Sequence, residues 1–236
     1  MSTVTEEFSR FATSYTKYSV IQERVAQKLI DTLPLGYKYD SILDVGCGEG
    51  QIVKKLEQKK IVTSNFFALD ASVKMLELHP LEKNIIKINA NFNTNFVEKL
   101  PLNRVELLLS SSALQWSKNL DFTLKQLAKL STKHYYAIFT SNTFRTLHKT
   151  AKIDSPIYSS SLLKKKLLTY YPNSLFEIEN YHLKFESTRE MLRYIKKSGV
   201  SSGEKKLSYL QTKQLIQDYP LDYLEFEVLF MYSVDE

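Results

Sequence analysis

Residues 44–50 read DVGCGEG, a carboxylate followed by glycines at 46, 48 and 50. The whole 236-residue chain has six glycines, so half of them stand here. Glycine costs backbone entropy and belongs where φ must be positive or where another molecule must touch the main chain. The stretch is therefore the first candidate ligand site, with Asp44, Gly46, Cys47, Gly48 and Gly50 as its residues. Its spacing separates it from two phosphate-binding loops. A G-x-G-x-x-G dinucleotide turn needs a glycine where Gln51 stands, and a G-x-x-x-x-G-K-[ST] loop finds no continuation after Gly46. A second carboxylate, Asp70, closes the apolar run FFALD about 20 residues beyond Gly50.

A scaffold must bring these acids together, and the order of elements describes one. Apolar residues at Val20, Ile21, Val25, Leu29, Ile30 and Leu33 fall near helical spacing, and Pro34 with Gly36 stops that helix. Short apolar strands are expected at 41–45, 66–70, 85–89, 105–110 and 134–140, with helical runs at 51–59, 72–78 and 120–130 between them. Strands separated by such helices form parallel βαβ units with right-handed crossovers. Beyond residue 150 the pattern changes to a helix over 156–171, a strand over 176–187, helices over 188–197 and 208–218, and a last strand over 223–234. The late strands predict an antiparallel edge, and the helices between them are free to cover the ligand end of the sheet. One domain is expected: an N-terminal helical cap over 1–34, a cofactor-binding core over 35–141, lid helices and a sixth strand over 142–222, and the final strand over 223–236.

Composition narrows the class. At 43% hydrophobic the chain can bury a substantial core. Its formal charge of +6 favours an acidic partner without choosing which. A single cysteine excludes an internal disulfide framework and a multi-thiolate zinc site, and the four histidines at 79, 134, 148 and 182 show no metal spacing. No metal is expected. The polar start MSTVTEEFSRF lacks the apolar segment of a signal peptide, and no run approaches ~18 uninterrupted apolar residues. A cytoplasmic protein with no membrane association follows as the expectation.

With an acid two positions before its first glycine and a strand ahead of it, Asp44-Val45-Gly46-Cys47-Gly48-Glu49-Gly50 resembles motif I of the class I S-adenosylmethionine-dependent methyltransferases. The resemblance implies a Rossmann-like α/β fold: a mostly parallel seven-stranded sheet with an antiparallel edge strand and a helical lid. It also implies S-adenosylmethionine as cofactor and S-adenosylhomocysteine as product. Main-chain amides of the glycine turn together with Asp70 would form the receptor, Asp70 accepting hydrogen bonds from the ribose hydroxyls. Ala71 and Met75 would flank the cofactor, Met75 against the adenine. After strand three the family often has an aspartate for the adenine amino group; here the chain reads Ala90-Asn91-Phe92, so an Asn91 carbonyl, beside Phe92, is left to accept it. Main-chain carbonyls from Ser110 to Gln115 would take the methionine ammonium, with Trp116 bordering the acceptor pocket.

The N/D-P-P-Y/F element that holds an extruded base is replaced by SSALQW, which argues against nucleic acid as substrate. Phe8-Ser9-Arg10-Phe11-Ala12 with Tyr15 and Gln22, Ala113-Leu114-Gln115-Trp116, Leu147-His148, the run Met191 to Lys196 up to Gly199, and Tyr219-Pro220-Leu221 are similar to BioC, the malonyl-acyl-carrier-protein O-methyltransferase family of biotin synthesis. The A-L-Q-W element is shared with trans-aconitate methyltransferases, so another carboxylate remains open as acceptor, as does a non-catalytic partner protein that keeps the fold. The resemblance implies methylation of the free carboxyl of a malonyl thioester, on an acidic acyl carrier protein or coenzyme A, by a monomer. A carboxylate is already ionised at neutral pH and needs no general base; it needs a cation to hold it. Arg193 is the candidate for that grip. Tyr15, with Tyr18, is the candidate for closure over the methionine end. The basic residues Arg189, Lys196, Lys197, Lys205 and Lys206 would meet the carrier.

Overall fold

The parallel register of the first two strands places the chemistry. In the computed structural model, which describes residues 18–197 and 207–234, β1 (Lys38–Val45) runs beside β2 (Val62–Asp70), with Asp44 opposite Ala68 and Val45 opposite Leu69. Side chains alternate faces along a strand, so Asp44 and Asp70 share one face at the carboxyl end. Helix α1 (Val20–Asp31) precedes β1, α2 (Gln51–Gln58) joins β1 to β2, and α3 (Val73–Leu78) leads to β3 (Ile85–Asn89). Then come β4 (Leu107–Ser111), α4 (Leu120–Leu127) and β5 (Lys133–Phe139). Helices α5 (Arg145–Ala151) and α6 (Ser160–Tyr170) lead to β6 (Ser174–Lys184), and α7 (Thr188–Lys197) and α8 (Tyr209–Asp218) to β7 (Tyr223–Ser233).

The seven strands lie in the order β3-β2-β1-β4-β5-β7-β6. The crossovers reverse direction between β1 and β4, and it is outside the carboxyl ends at such a reversal that ligands bind. The reversed strand is β7, which pairs antiparallel with both β5 and the edge strand β6. Helices cover both faces, which explains the nearly unbroken apolar strands. Consecutive residues divide between the two layers: Ile42, Phe66 and Leu107 join Ile21, Val25, Leu29 and Leu56 in one cluster. Their neighbours Leu43, Phe67 and Leu108 join Leu124, Leu127, Leu163 and Leu167 in the other. Among the described residues no helix is long and apolar enough to cross a membrane.

Three features differ from expectation. Helix α5 carries no glycine, proline or strong cap that would announce it; it begins after Phe144 in a left-handed conformation (φ 57°). Tertiary bonds hold it instead, since Phe144 N–H donates to the Glu225 carbonyl and Thr146 N–H to the Glu225 carboxylate, both at 2.8 Å. Helix α6 starts at Ser160 rather than 156, because the Ser159 hydroxyl caps it by accepting from Leu162 N–H. The expected lid helices α7 and α8 turn Met191, Tyr194, Ile195 and Leu215 into the same apolar layer as α1, and Tyr194 meets Tyr18 edge to face at 6.0 Å.

Gly46 locks the first crossover against the fourth strand. Its N–H and that of Cys47 both donate to the Leu69 carbonyl, at 2.8 and 3.0 Å, hooking the turn to the end of β2. Its φ is 77°, and a Cβ there would overlap the Ala113 side chain. Gly48 also has a left-handed φ, 54°, but a Cβ on it would meet nothing within 4 Å. Gly46→Ala should therefore cost about 2 kcal/mol or more, from strain and overlap together. Gly48→Ala should cost only about 1 kcal/mol. Chemical denaturation of the two variants measures the difference.

Candidate active site

A cavity of about 400 Å³ opens where the crossovers reverse, within the size range of small-molecule sites. Of the residues expected from sequence, Asp44, Gly46, Cys47, Gly48, Asp70, Ala71, Met75, Asn91, Phe92 and Trp116 line it. Each comes from the carboxyl end of one of the strands β1 to β4 or from the segment that follows it. The cavity also takes in Gln22 and Ala26 of α1, and Ser111, Ser112 and Lys118 beyond β4.

Asp44 is 1% exposed, and neither of its carboxylate oxygens has a hydrogen-bond partner. Burial, with the neighbouring charge of Asp70 second, holds its carboxyl well above the ordinary carboxylate range. An unpaired buried carboxylate is costly in an empty protein, and a cationic group entering the cavity would relieve it. Asp70 is differently placed. Its Oδ2 accepts from Gly48 N–H at 3.0 Å and its Oδ1 from Ser72 N–H at 2.8 Å. Burial pushes its carboxyl up, while these main-chain bonds pull the other way. Each oxygen keeps acceptor capacity for a hydroxyl of a ligand. The acids thus differ in kind: one calls for a cation, the other is oriented to accept hydroxyls.

Several expectations need correction. The amides of Gly46, Cys47, Gly48 and Gly50 all donate inside the protein, to Leu69, Asp70 and Cys47; the turn offers a ligand its surface rather than its donors. Gly50 does not line the cavity; a Cβ there would press on Pro80 and His79. Ser110 is fully buried and donates to the Val45 carbonyl at 2.7 Å, tying β4 to β1. Its neighbours Ser111 and Ser112 line the cavity instead, with buried hydroxyl oxygens that have no partner. Gln115 belongs to a smaller cavity on the far side of Trp116. Asn91 already accepts from Asn93 N–H at 2.9 Å, which shapes the loop under the cavity.

Arg193 does not reach the cavity. Met191, Tyr194 and Ile195 bury their face of α7, and Arg193 sits exposed on the opposite one. Among the described residues Lys118 is the cation that lines the cavity, and no sequence pattern marks it. Tyr18 packs against α7, where Lys197 donates to its hydroxyl at 3.2 Å and lies 5.3 Å from its ring centre. Tyr15 lies outside the described residues, as do Phe8 to Ala12, Gly199, Lys205 and Lys206. Gln22, expected only as part of the amino-terminal pattern, is buried with its Oε1 unpartnered. The Cys47 thiol is pushed well up by burial and by both acids, which leaves it protonated and unreactive. Among the described residues no group of histidines, cysteines or acids could hold a metal.

This sheet order, with an acid pair and a glycine turn at the strand reversal, defines a class I methyltransferase. Solved structures with the same fold include the YcgJ protein of Bacillus subtilis (12% identity, TM-score 0.60, covering 90% of this chain and 99% of that one) and the plantazolicin methyltransferase BpumL in complex with SAH (14%, 0.53, 98% and 90%). A family model described as a methyltransferase domain matches residues 38–201. The malonyl-[acyl-carrier protein] O-methyltransferase 1 of Ilyobacter polytropus is 30% identical over 211 residues, 85% of this chain and 78% of that protein. The enzyme of the same name from Calditerrivibrio nitroreducens is 25% identical over 214 residues, 87% and 82% respectively. The chain belongs to this malonyl-[acyl-carrier protein] O-methyltransferase family and is an S-adenosylmethionine-dependent methyltransferase. The residues present fit that cofactor, whose ammonium and sulfonium suit Asp44 and whose ribose suits Asp70.

Asp44 carries a pH and stability signature. Because its folded-state affinity for a proton is raised, its contribution to stability is present at low pH and is lost as pH rises from the ordinary carboxylate range toward the raised value. Asp44→Asn should therefore raise the melting temperature of the ligand-free protein at neutral pH. It should also weaken S-adenosylhomocysteine binding by about 30-fold or more, since a buried charge partner is lost. Calorimetry and thermal melts on the same variant read the two opposite effects.

Proposed function

We propose that the protein methylates the free carboxyl of a malonyl thioester carried on an acyl carrier protein or coenzyme A, an early step of biotin synthesis, and releases S-adenosylhomocysteine. The observation that carries this reading is the division of charge in one cavity: Asp44 and Asp70 suit a cationic nucleoside, while Lys118 and Trp116, on the loop after β4, suit an anionic acceptor. S-adenosylmethionine supplies an electrophilic methyl carbon and its own leaving group. What remains for the protein is alignment and exclusion of water. A carboxylate nucleophile is ionised at neutral pH and needs no general base; among the described residues no histidine lines the cavity. Lys118 holds the acceptor carboxylate by charge-assisted hydrogen bonds; the two acids keep that anion from settling in the cofactor's place. Trp116 walls the reacting groups off from solvent.

The carrier docks on α7. Arg189, Arg193 and Lys196 stand at i, i+4 and i+7, so they form one stripe, and all three are exposed. Lys197 is turned to Tyr18, four residues before the cavity residue Gln22, so the stripe is tied to the cover of the site. An acidic carrier is steered there by charge, an attraction that weakens with salt.

Methyl transfer from labelled S-adenosylmethionine to malonyl-carrier, malonyl-coenzyme A and trans-aconitate, run side by side, tests the acceptor. Transfer to the two malonyl thioesters is expected, and transfer to trans-aconitate alone would overturn the reading. Lys118→Met should raise KM for malonyl-coenzyme A by roughly tenfold while leaving calorimetric affinity for S-adenosylhomocysteine unchanged; weakened cofactor binding would assign Lys118 to the cofactor instead. Reversal of Arg189 and Arg193 to glutamate should raise KM for the carrier-bound substrate and spare a small malonyl thioester. Equal losses on both would remove α7 from carrier recognition.

A further inference from the structure

The segment that carries Trp116 and Lys118 is held by a side chain from another loop. Asn93 follows β3 and lines the same cavity. Its Nδ2 donates to the Trp116 carbonyl at 3.3 Å, and its Oδ1 accepts from the Lys118 N–H at 2.7 Å. A carbonyl only accepts and an N–H only donates, so these partners fix which end of the amide is which. The main-chain N–H of Asn93 donates to Asn91 Oδ1 at 2.9 Å. One residue therefore joins the loop after β3 to both ends of the tripeptide Trp116-Ser117-Lys118. Ser117, between them, is anchored separately. The Tyr158 hydroxyl donates to its carbonyl at 2.7 Å. Thr123, fully buried on α4, donates to the Phe92 carbonyl at 3.3 Å, so Ser117 Oγ is the donor in its 2.8 Å bond with Thr123 Oγ1. Removing the Asn93 side chain would leave the middle of the tripeptide in place and release the residues on either side of it.

Resting on the reading of Lys118 as the cation that holds the acceptor carboxylate, we infer that Asn93 is a positioning residue, setting Lys118 and Trp116 relative to the loop after β3. Both ends of its amide are engaged within the protein, so it acts through those two residues rather than on the substrate. Lys118 is exposed, and a lysine ammonium on its flexible four-carbon stem reaches only where its main chain allows. Holding the Lys118 N–H confines the region that ammonium can sweep. Methyl transfer needs the carboxylate oxygen in line with the methyl carbon, and a misplacement of about 1 Å can cost about 100-fold in rate. The anchor comes from the loop whose Asn91 and Phe92 also line the cavity, so two of its walls keep a fixed spacing.

A double-variant cycle on the intact protein, with malonyl-coenzyme A as acceptor, tests the role. Asn93→Ala should raise KM roughly fivefold. Calorimetric affinity for S-adenosylhomocysteine should stay unchanged, because the bond from Asn93 to Asn91 is made by the main chain and survives the substitution. In a Lys118→Met background the same change should move KM by less than about twofold, since the group it positions is gone. Loss of packing alone would act equally in both backgrounds, and such additive effects would overturn the inference. Should Asn93→Ala fail to fold, wild type decides: the Lys118 amide hydrogen should exchange slowly for an exposed loop, and exchange at the rate of a free peptide would remove the anchor. A raised KM in Lys118→Met with none in a folded Asn93→Ala protein would overturn the role of Asn93 alone. An unchanged KM in Lys118→Met would overturn the reading of Lys118, and this inference with it.

Discussion

Everything at the site depends on two carboxylates, one buried and one half-buried, standing on one face of the sheet at its carboxyl end. The parallel pairing of β1 with β2 puts Asp44 and Asp70 on one face, and the same pairing lets Leu69 hold the turn that follows Asp44. Burial raises the proton affinity of both, and the charge of Asp70 adds to it at Asp44. Main-chain donors moderate this for Asp70, and the Asp44 carboxylate has none. Asp44 therefore carries an unfavourable interaction that a cationic group in the cavity would relieve. Apolar packing in two layers must outweigh it, and nearly every strand residue of β1, β2 and β4 near the site contributes to one layer or the other.

The glycines follow from the same constraint. Bringing the end of β1 against the loop after β4 leaves no room for a side chain at position 46, because Ala113 occupies that space. Position 48 has room, but it also reverses the chain so that its N–H meets Asp70. Neither glycine is there to donate to a ligand. The cover of the site is likewise a packing consequence: α1 lies in the apolar layer with α2, and Lys55 of α2 reaches Glu23 of α1 at 3.0 Å. That docking turns Gln22 and Ala26 into the cavity. Helix α7 holds Tyr18, just before α1, through Tyr194 and Lys197, and no described residue of α7 or α8 lines the cavity.

How much of this was legible in the sequence follows from how local each cause is. The βαβ core was legible because strand and helix periods are written in consecutive residues, and the acid pair because its spacing follows from one crossover. Helix α5 was not, since Glu225, 79 residues beyond Thr146, organises its first turn. Arg193 was assigned to the acceptor for its chemistry, but helical phase placed it opposite Met191 and Tyr194. Lys118 escaped notice because nothing in its neighbours distinguishes it; only the turn from Leu114 to Trp116 brings it to the cavity. Ser110 and Ser111 show how fine the difference is: adjacent strand residues point oppositely, so one seals the sheet and the other meets the cavity.

The small number of polar side chains that line the cavity beyond β4 is itself informative. A reaction whose electrophile carries its leaving group and whose nucleophile is already ionised leaves little for acids and bases to do. Selection among acceptors must then rest on where a few charges and hydrogen-bond groups stand relative to the transferred methyl. In this protein such groups span the end of β4 and the loop after it within nine residues, from Ser110 to Lys118: a hydroxyl that fixes the strand, two hydroxyls on the cavity, an amide beside the tryptophan, and an exposed lysine. The left-handed turn at Ser112 (φ 59°) and the short helix after it direct these side chains into two neighbouring spaces rather than one. Strain at a non-glycine residue persists only where surrounding structure over-determines it. Here Ser112 N–H donates to the Ala137 carbonyl at 2.8 Å and its own carbonyl accepts from Gln115, so the strained turn is held from both sides. The conformational cost at Ser112 is the counterpart of directing the side chains of one short loop into two neighbouring spaces.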